Sequence, residues 1–225
     1  MSLGRALHVQ GKYDEAEQRY RDALAVQLAL HGPHHRDVGR CLHNLGSLQT
    51  TLGKQAEAES SFRAAVEALD ASLGADDPSV SIAIAALANA VRAQGRAGEA
   101  EPLLRQALEA QRRVFGDQHY FVAATASSLG MVYRDLGDFD SAEKLVREAL
   151  SINQHLFGDD HDDVTFTMDR LAGILYRKGE LEEAIAFYEQ VLETMRARYG
   201  ADDSQITGVE EDLATARAEL RRSQE

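Results

Sequence analysis

The chain is short of cysteine, of proline and of long apolar runs, and each shortage closes off a class of protein. Its 225 residues include one cysteine, Cys41, so no internal disulfide framework is expected. No apolar run approaches the roughly 20 residues that a membrane-spanning helix needs. The opening MSLGRALHVQ lacks the long apolar core and cleavage site of a signal peptide, and a cytoplasmic setting is expected. No proline-rich linker or low-complexity block interrupts the chain, so residues 1–225 are expected to form a single array. Basic residues are also scarce. Lys and Arg total 24 against 37 Asp and Glu, a net charge of −13. Such a field repels nucleic acid and anionic membranes, and neither is expected as a partner. No GxSxG, Walker or GxGxxG motif stands in a usable context, so no enzyme, no catalytic residue and no cofactor is expected.

What the chain has is repetition. GKYDEAEQRYRDAL at residues 11–24 returns as GKQAEAESSFRAAV, GRAGEAEPLLRQAL, GDFDSAEKLVREAL and GELEEAIAFYEQVL, always 42 residues on. The columns are Leu3, Leu45, Leu87, Leu129, Leu171 and Leu213; Gly11, Gly53, Gly95, Gly137 and Gly179; Ala16, Ala58, Ala100, Ala142 and Ala184; Gly32, Gly74, Gly116, Gly158 and Gly200. Units start near 3, 45, 87, 129 and 171. An unbroken register of this kind means that every unit packs on its neighbours in one way.

The glycine columns cut each unit into two helices, because glycine is favoured just past a helix end. In the second unit the helices are expected at about Asp37–Leu52 and Gln55–Leu73. Leu42, Leu45 and Leu52 form one apolar face of the first. Ala58, Phe62 and Ala65 form a stripe on the second, with small alanines allowing close approach. Asp77 and Asp140 are candidate helix caps. Pro102 falls one turn inside an expected helix, which must start late or bend. About eleven helices are expected in all, closing with a polar capping helix near 203–222.

LGSLQTTLGKQAEAESSF and LGMVYRDLGDFDSAEKLV resemble tetratricopeptide repeats. The 42-residue length and the loops HGPHHRDV, LGADDPSV, FGDQHYFV and FGDDHDDV resemble the longer repeats of kinesin light chain. Recurrent Leu-Gly and Gly-x-x-x-x-Ala argue against HEAT or armadillo repeats of similar period. The resemblance implies an all-α, right-handed superhelical solenoid of antiparallel helix pairs. It also implies that the first helix of each pair lines a concave groove that holds a partner peptide.

Placed in that geometry, the groove columns contain Arg5, His8, Arg40, His43, Asn44, Ile82, Ala85, Asn89, Arg92, Ser127, Met131, Arg134, Asp135, Phe166, Asp169, Tyr176 and Arg177. Five Arg against two Asp make this strip basic on an acidic body. The expected ligand is a protein or peptide with acidic residues, held by Arg92 and Arg134 through charge-assisted hydrogen bonds. An apolar anchor is expected near Met131, Phe166 and Tyr176. The alternative is an architectural spacer or weakly self-associating array inside a larger signalling protein. His31, His34 and His35 cluster in HGPHHRDV, but the repeat already explains His35, whose column holds His119 and His161, and no metal site is expected. Cys41 and His43 lie two apart on one helix, point to different sides, and make no nucleophile–base pair.

Overall fold

The computed structural model describes residues 2–200 and 204–224. Among them are eleven helices and no strand: α1 (Ser2–Val9), α2 (Tyr13–His31), α3 (Arg36–Thr51), α4 (Gln55–Leu73), α5 (Pro78–Ala93), α6 (Ala97–Phe115), α7 (Tyr120–Leu136), α8 (Phe139–Phe157), α9 (Asp162–Lys178), α10 (Leu181–Tyr199) and α11 (Ser204–Ser223). The expected boundaries of α3 and α4 hold to within one residue. Residue 203, the expected start of the last helix, lies outside the described residues. The chain divides into two compact units, residues 1–116 and 117–225. The first contains α1–α6 and the second α7–α11.

Within each unit, sequential helices pack as antiparallel pairs and each pair packs on the next. All ten members of the two glycine columns have positive φ, between 72° and 89°, where a Cβ is strained. They end the helices and turn the chain. The starts are set differently in the two helices of a pair. His35, Asp77, His119 and His161 cap α3, α5, α7 and α9, each side chain accepting a hydrogen bond from the amide two residues on. That assigns the recurrent loop histidines a job: the Nδ1 lone pair of the imidazole replaces a carboxylate as the cap.

Two expectations need correction. Asp138, not Asp140, caps α8, accepting from the Ser141 amide at 3.1 Å. Asp140 already lies in the first turn, where its carboxylate receives Lys178 at 2.9 Å. Helix α6 does not start late: it begins at Ala97 and runs through Pro102, which leaves a bend as the remaining expectation. Both Pro102 and Gly98, four residues earlier, are exposed, so the carbonyl deprived of its partner faces water.

The core is built where a small residue on the first helix of a pair receives a large one from the second. A Cβ placed on Gly46 would stand 2.8 Å from Phe62, and one on Gly4 would stand 2.8 Å from the Tyr20 ring. On Gly130 it would stand 2.6 Å from Val146. Tyr20, Phe62, Leu104, Val146 and Tyr188 occupy one column and are all buried. Each contributes on the order of 1.5–3 kcal/mol by leaving water. Gly46→Ala is expected to destabilise the protein by about 1–3 kcal/mol through overpacking. Adding Phe62→Leu should recover part of that loss, since the third repeat pairs Ala88 with Leu104 in the same columns. Chemical denaturation of the single and double variants checks both.

Candidate functional site: a cleft between successive first helices

In the first unit, α3 and α5 stand side by side over α4 and leave a cleft of about 360 Å³. Its lining is Arg5 of α1, Arg40, His43 and Asn44 of α3, Ser79 and Ile82 of α5, with Leu69 of α4 as the floor. Gly39 lets that floor come close, for a Cβ there would meet Leu69 at 2.6 Å. Burial pushes the His43 pKa down, so the ring is neutral at pH 7, and it sits edge-on to Phe62 with centroids 5.4 Å apart. Arg40 reaches Asp37 only at 3.5 Å. Arg5 is exposed and makes no hydrogen bond or ion pair with any described residue. The cleft therefore offers two guanidinium groups with little internal neutralisation. Asn89 and Arg92 lie further along α5, half-buried and outside this lining.

The second unit repeats the cleft with other chemistry. Between α9 and α11, over α10, lies a cleft of about 460 Å³ lined by Asp162, Asp163, Thr165, Phe166, Asp169, Val191, Met195, Tyr199 and Val209. Phe166, Asp169 and Met195 stand three 42-residue repeats beyond Arg40, His43 and Leu69. The same three positions build both clefts. Phe166 is 55% exposed, and the Arg170 guanidinium lies 4.2 Å from its ring centroid. Arg170 also donates to Ser127 Oγ at 2.8 Å. Asp162 accepts from Arg198 at 2.6 Å and from the Tyr199 hydroxyl at 2.5 Å. Asp169 makes no such hydrogen bond with any described residue.

The expected strip of groove residues thus comes apart by unit. Ser127 and Met131 are buried in α7, with Met131 in the core. Arg134 is held by the neighbouring Asp135, Nε at 3.1 Å and Nη2 at 2.7 Å from one oxygen, which neutralises it. Tyr176 donates its hydroxyl to Glu219 at 2.7 Å. Arg177 is exposed in the last turn of α9. The apolar wall beside Phe166 comes from Val191, Met195 and Tyr199 on the second helix of the pair, not from Met131 or Tyr176. Reading only the first helices for groove residues missed these. The column shared by Leu69 and Met195 was the available signal.

The loop histidines make one cluster. Ligand atoms of His31, His35 and Asp37 lie within 4.8 Å of one another. Yet His35 Nδ1 accepts from the Asp37 amide at 3.2 Å, so its proton sits on Nε2 and neither nitrogen has a lone pair to give without breaking the cap. His31 stacks on His35 at 4.1 Å as Phe157 stacks on His161 at 4.4 Å. Stacking and capping account for the cluster.

The Tetratricopeptide repeat model matches residues 1–71, 80–155 and 121–197, and the chain belongs to that family. The crystal structure of BtubC (BKLC) from P. vanneervenii is similar at TM-score 0.74 and 22% identity, over 91% of this chain and 82% of that one. Nearly identical TPR-like repeats from a Podosopora anserina protein described as a kinesin light chain match at TM-score 0.70 and 23% identity, over 88% and 94%. A point variant of that protein gives 0.72 and 23%, over 87% and 92%. No curated protein matches the chain. A fold of this family is generally non-catalytic, and none of the described helices is long and apolar enough to cross a membrane.

The charge at Asp169 carries a stability consequence. Burial first, then the carboxylate of Asp212 on α11, pushes its pKa up, while Arg170 opposes. Tyr188 of α10 faces the same two carboxylates. A carboxyl whose pKa is higher folded than unfolded costs stability once it ionises. Asp169→Asn should therefore raise the thermal midpoint at pH 7. The gain should vanish as the pH falls below the ordinary Asp value of about 4, where both states hold the proton. Thermal melts of the two proteins across that range check the sign.

Proposed function

We propose that this protein is a non-catalytic interaction module whose first unit binds an acidic segment of a protein partner, a side-chain or terminal carboxylate seated between Arg5 and Arg40. Membership in the family supports an interaction or scaffold role in general. The acidic preference rests on one observation: two arginines with little internal neutralisation face one cleft on a chain of net charge −13. Guanidinium groups bind carboxylates in pairs of parallel hydrogen bonds, and the neutral His43 and the Asn44 amide supply further polar contacts to a peptide backbone. The acidic body repels the same ligand at long range. The attraction is therefore local, within about a Debye length of 8–10 Å. Arg92 and Arg134 have a smaller part in this reading than the sequence implied.

An architectural reading has its own observation. Val26 and Leu30, one turn apart on α2, are 53% and 67% exposed. Such a face suits weak self-association, which light scattering against concentration tests: a mass that does not change removes it.

Titration of fluorescein-labelled Asp/Glu-rich peptides by anisotropy tests the main reading. Arg5→Glu/Arg40→Glu should weaken binding by at least about tenfold, roughly 1.4 kcal/mol. Its thermal midpoint should stay near that of the parent, because ion pairs at exposed sites contribute about 0–1 kcal/mol. Equal binding by the variant rejects the assignment of the cleft.

A further inference from the structure

We infer that the cleft between α9 and α11 is a second recognition site of opposite preference, taking a partner segment in which an Arg or Lys adjoins a large apolar side chain. This goes beyond the reading of the first unit and does not rest on it. The repeat register is the starting point. Arg40, His43 and Leu69 are replaced, three repeats on, by Phe166, Asp169 and Met195, while the helices that carry them keep the same pairwise packing. The fold supplies a cleft of one design in both units, and side-chain identity alone sets what it accepts.

Three features define the occupant. The cleft measures about 460 Å³, inside the roughly 300–1,000 Å³ typical of ligand sites. Its floor is apolar: Val191 is 1% exposed, Met195 9% and Val209 8%. Phe166 and Tyr199, 55% and 47% exposed, leave aromatic surface at the walls that an apolar side chain would cover. The third feature is charge. Asp169 is half-buried, makes no hydrogen bond or ion pair with any described residue, and has the Asp212 carboxylate among its electrostatic neighbours. Arg170, the cation that opposes them, spends Nη1 on Ser127 and its face on Phe166.

A half-buried carboxylate beside an apolar floor calls for a cation on an apolar stem. A bare metal ion fits poorly, because Asp169 belongs to no group of three close ligands among the described residues. An arginine or lysine side chain fits: its methylene stem lies on the aromatic wall while its head reaches Asp169. The neighbouring large apolar residue of the partner then fills the floor over Met195. A bound cation would give Asp169 the ion-pair partner that it does not find among the described residues.

The test uses the full chain and three short fluorescein-labelled peptides in Gly-Ser flanks, with central Leu-Arg-Leu, Leu-Glu-Leu or Ala-Arg-Ala. Anisotropy should show Leu-Arg-Leu binding at least about tenfold tighter than either of the others at this cleft. Asp169→Asn, which preserves shape, and Phe166→Ala should each weaken Leu-Arg-Leu by at least about fivefold. Circular dichroism melts verify that both variants are folded. Leu-Glu-Leu titrated against Arg5→Glu/Arg40→Glu reports the first unit separately, so the two readings fail independently. No saturable binding of Leu-Arg-Leu, or equal binding by folded Asp169→Asn, overturns the inference.

Discussion

The contact between a small residue on one helix and a large ring on the next governs the rest of this molecule. Where Gly46 faces Phe62, or Gly4 faces Tyr20, the two helix axes approach until the ring lies on bare backbone. A methyl group at either glycine has no room. This fixes how closely such a pair packs, and the unbroken 42-residue register returns a small residue, Gly or Ala, to the same position in each pair. The spacing of successive first helices follows from it, and that spacing is the width of the clefts. The width of the clefts is in this sense a by-product of core packing.

Because the backbone of the cleft is set by the core, the exposed residues on its walls are freer to vary than the buried ones on its floor. The positions of Arg40 and Phe166 have no shared packing requirement, nor do those of His43 and Asp169. That freedom lets one fold present guanidinium groups in the first unit and a carboxylate against aromatic surface in the second. The cost is visible at Asp169, where burial first and the Asp212 charge second raise the pKa of the carboxyl. An uncompensated charge at a cleft wall is a poor structural element and a good ligand contact. Elsewhere charges are paired off in ordinary ways. Lys178 gathers Asp140, Glu143 and Glu180, and Arg147 joins Glu143 to Glu183. These pairs tie neighbouring helices together.

The loop histidines show the same economy. His35, His119 and His161 recur because an imidazole nitrogen can accept the first free amide of a helix, as the Asp77 carboxylate does in the intervening repeat. A cluster that has the composition of a metal site is explained by helix capping and ring stacking.

The sequence by itself determined the helices, their number and their pairing, since periodicity of 42, glycine at every turn and small-against-large columns are local or strictly repeated signals. It also placed Arg40, His43, Phe166 and Asp169 on the face that forms the clefts. Tertiary structure decided which of those side chains remain available. Met131 and Arg134 share the same face in a helical projection, yet Met131 is drawn into the core and Arg134 is bound by Asp135. Tyr176 is spent on Glu219, forty-three residues away. The contribution of Met195 and Tyr199 comes from a different helix altogether. Periodicity states which way a residue points, whereas burial, ion pairing and the far wall of a cleft depend on neighbours distant in the chain, and only packing brings those together.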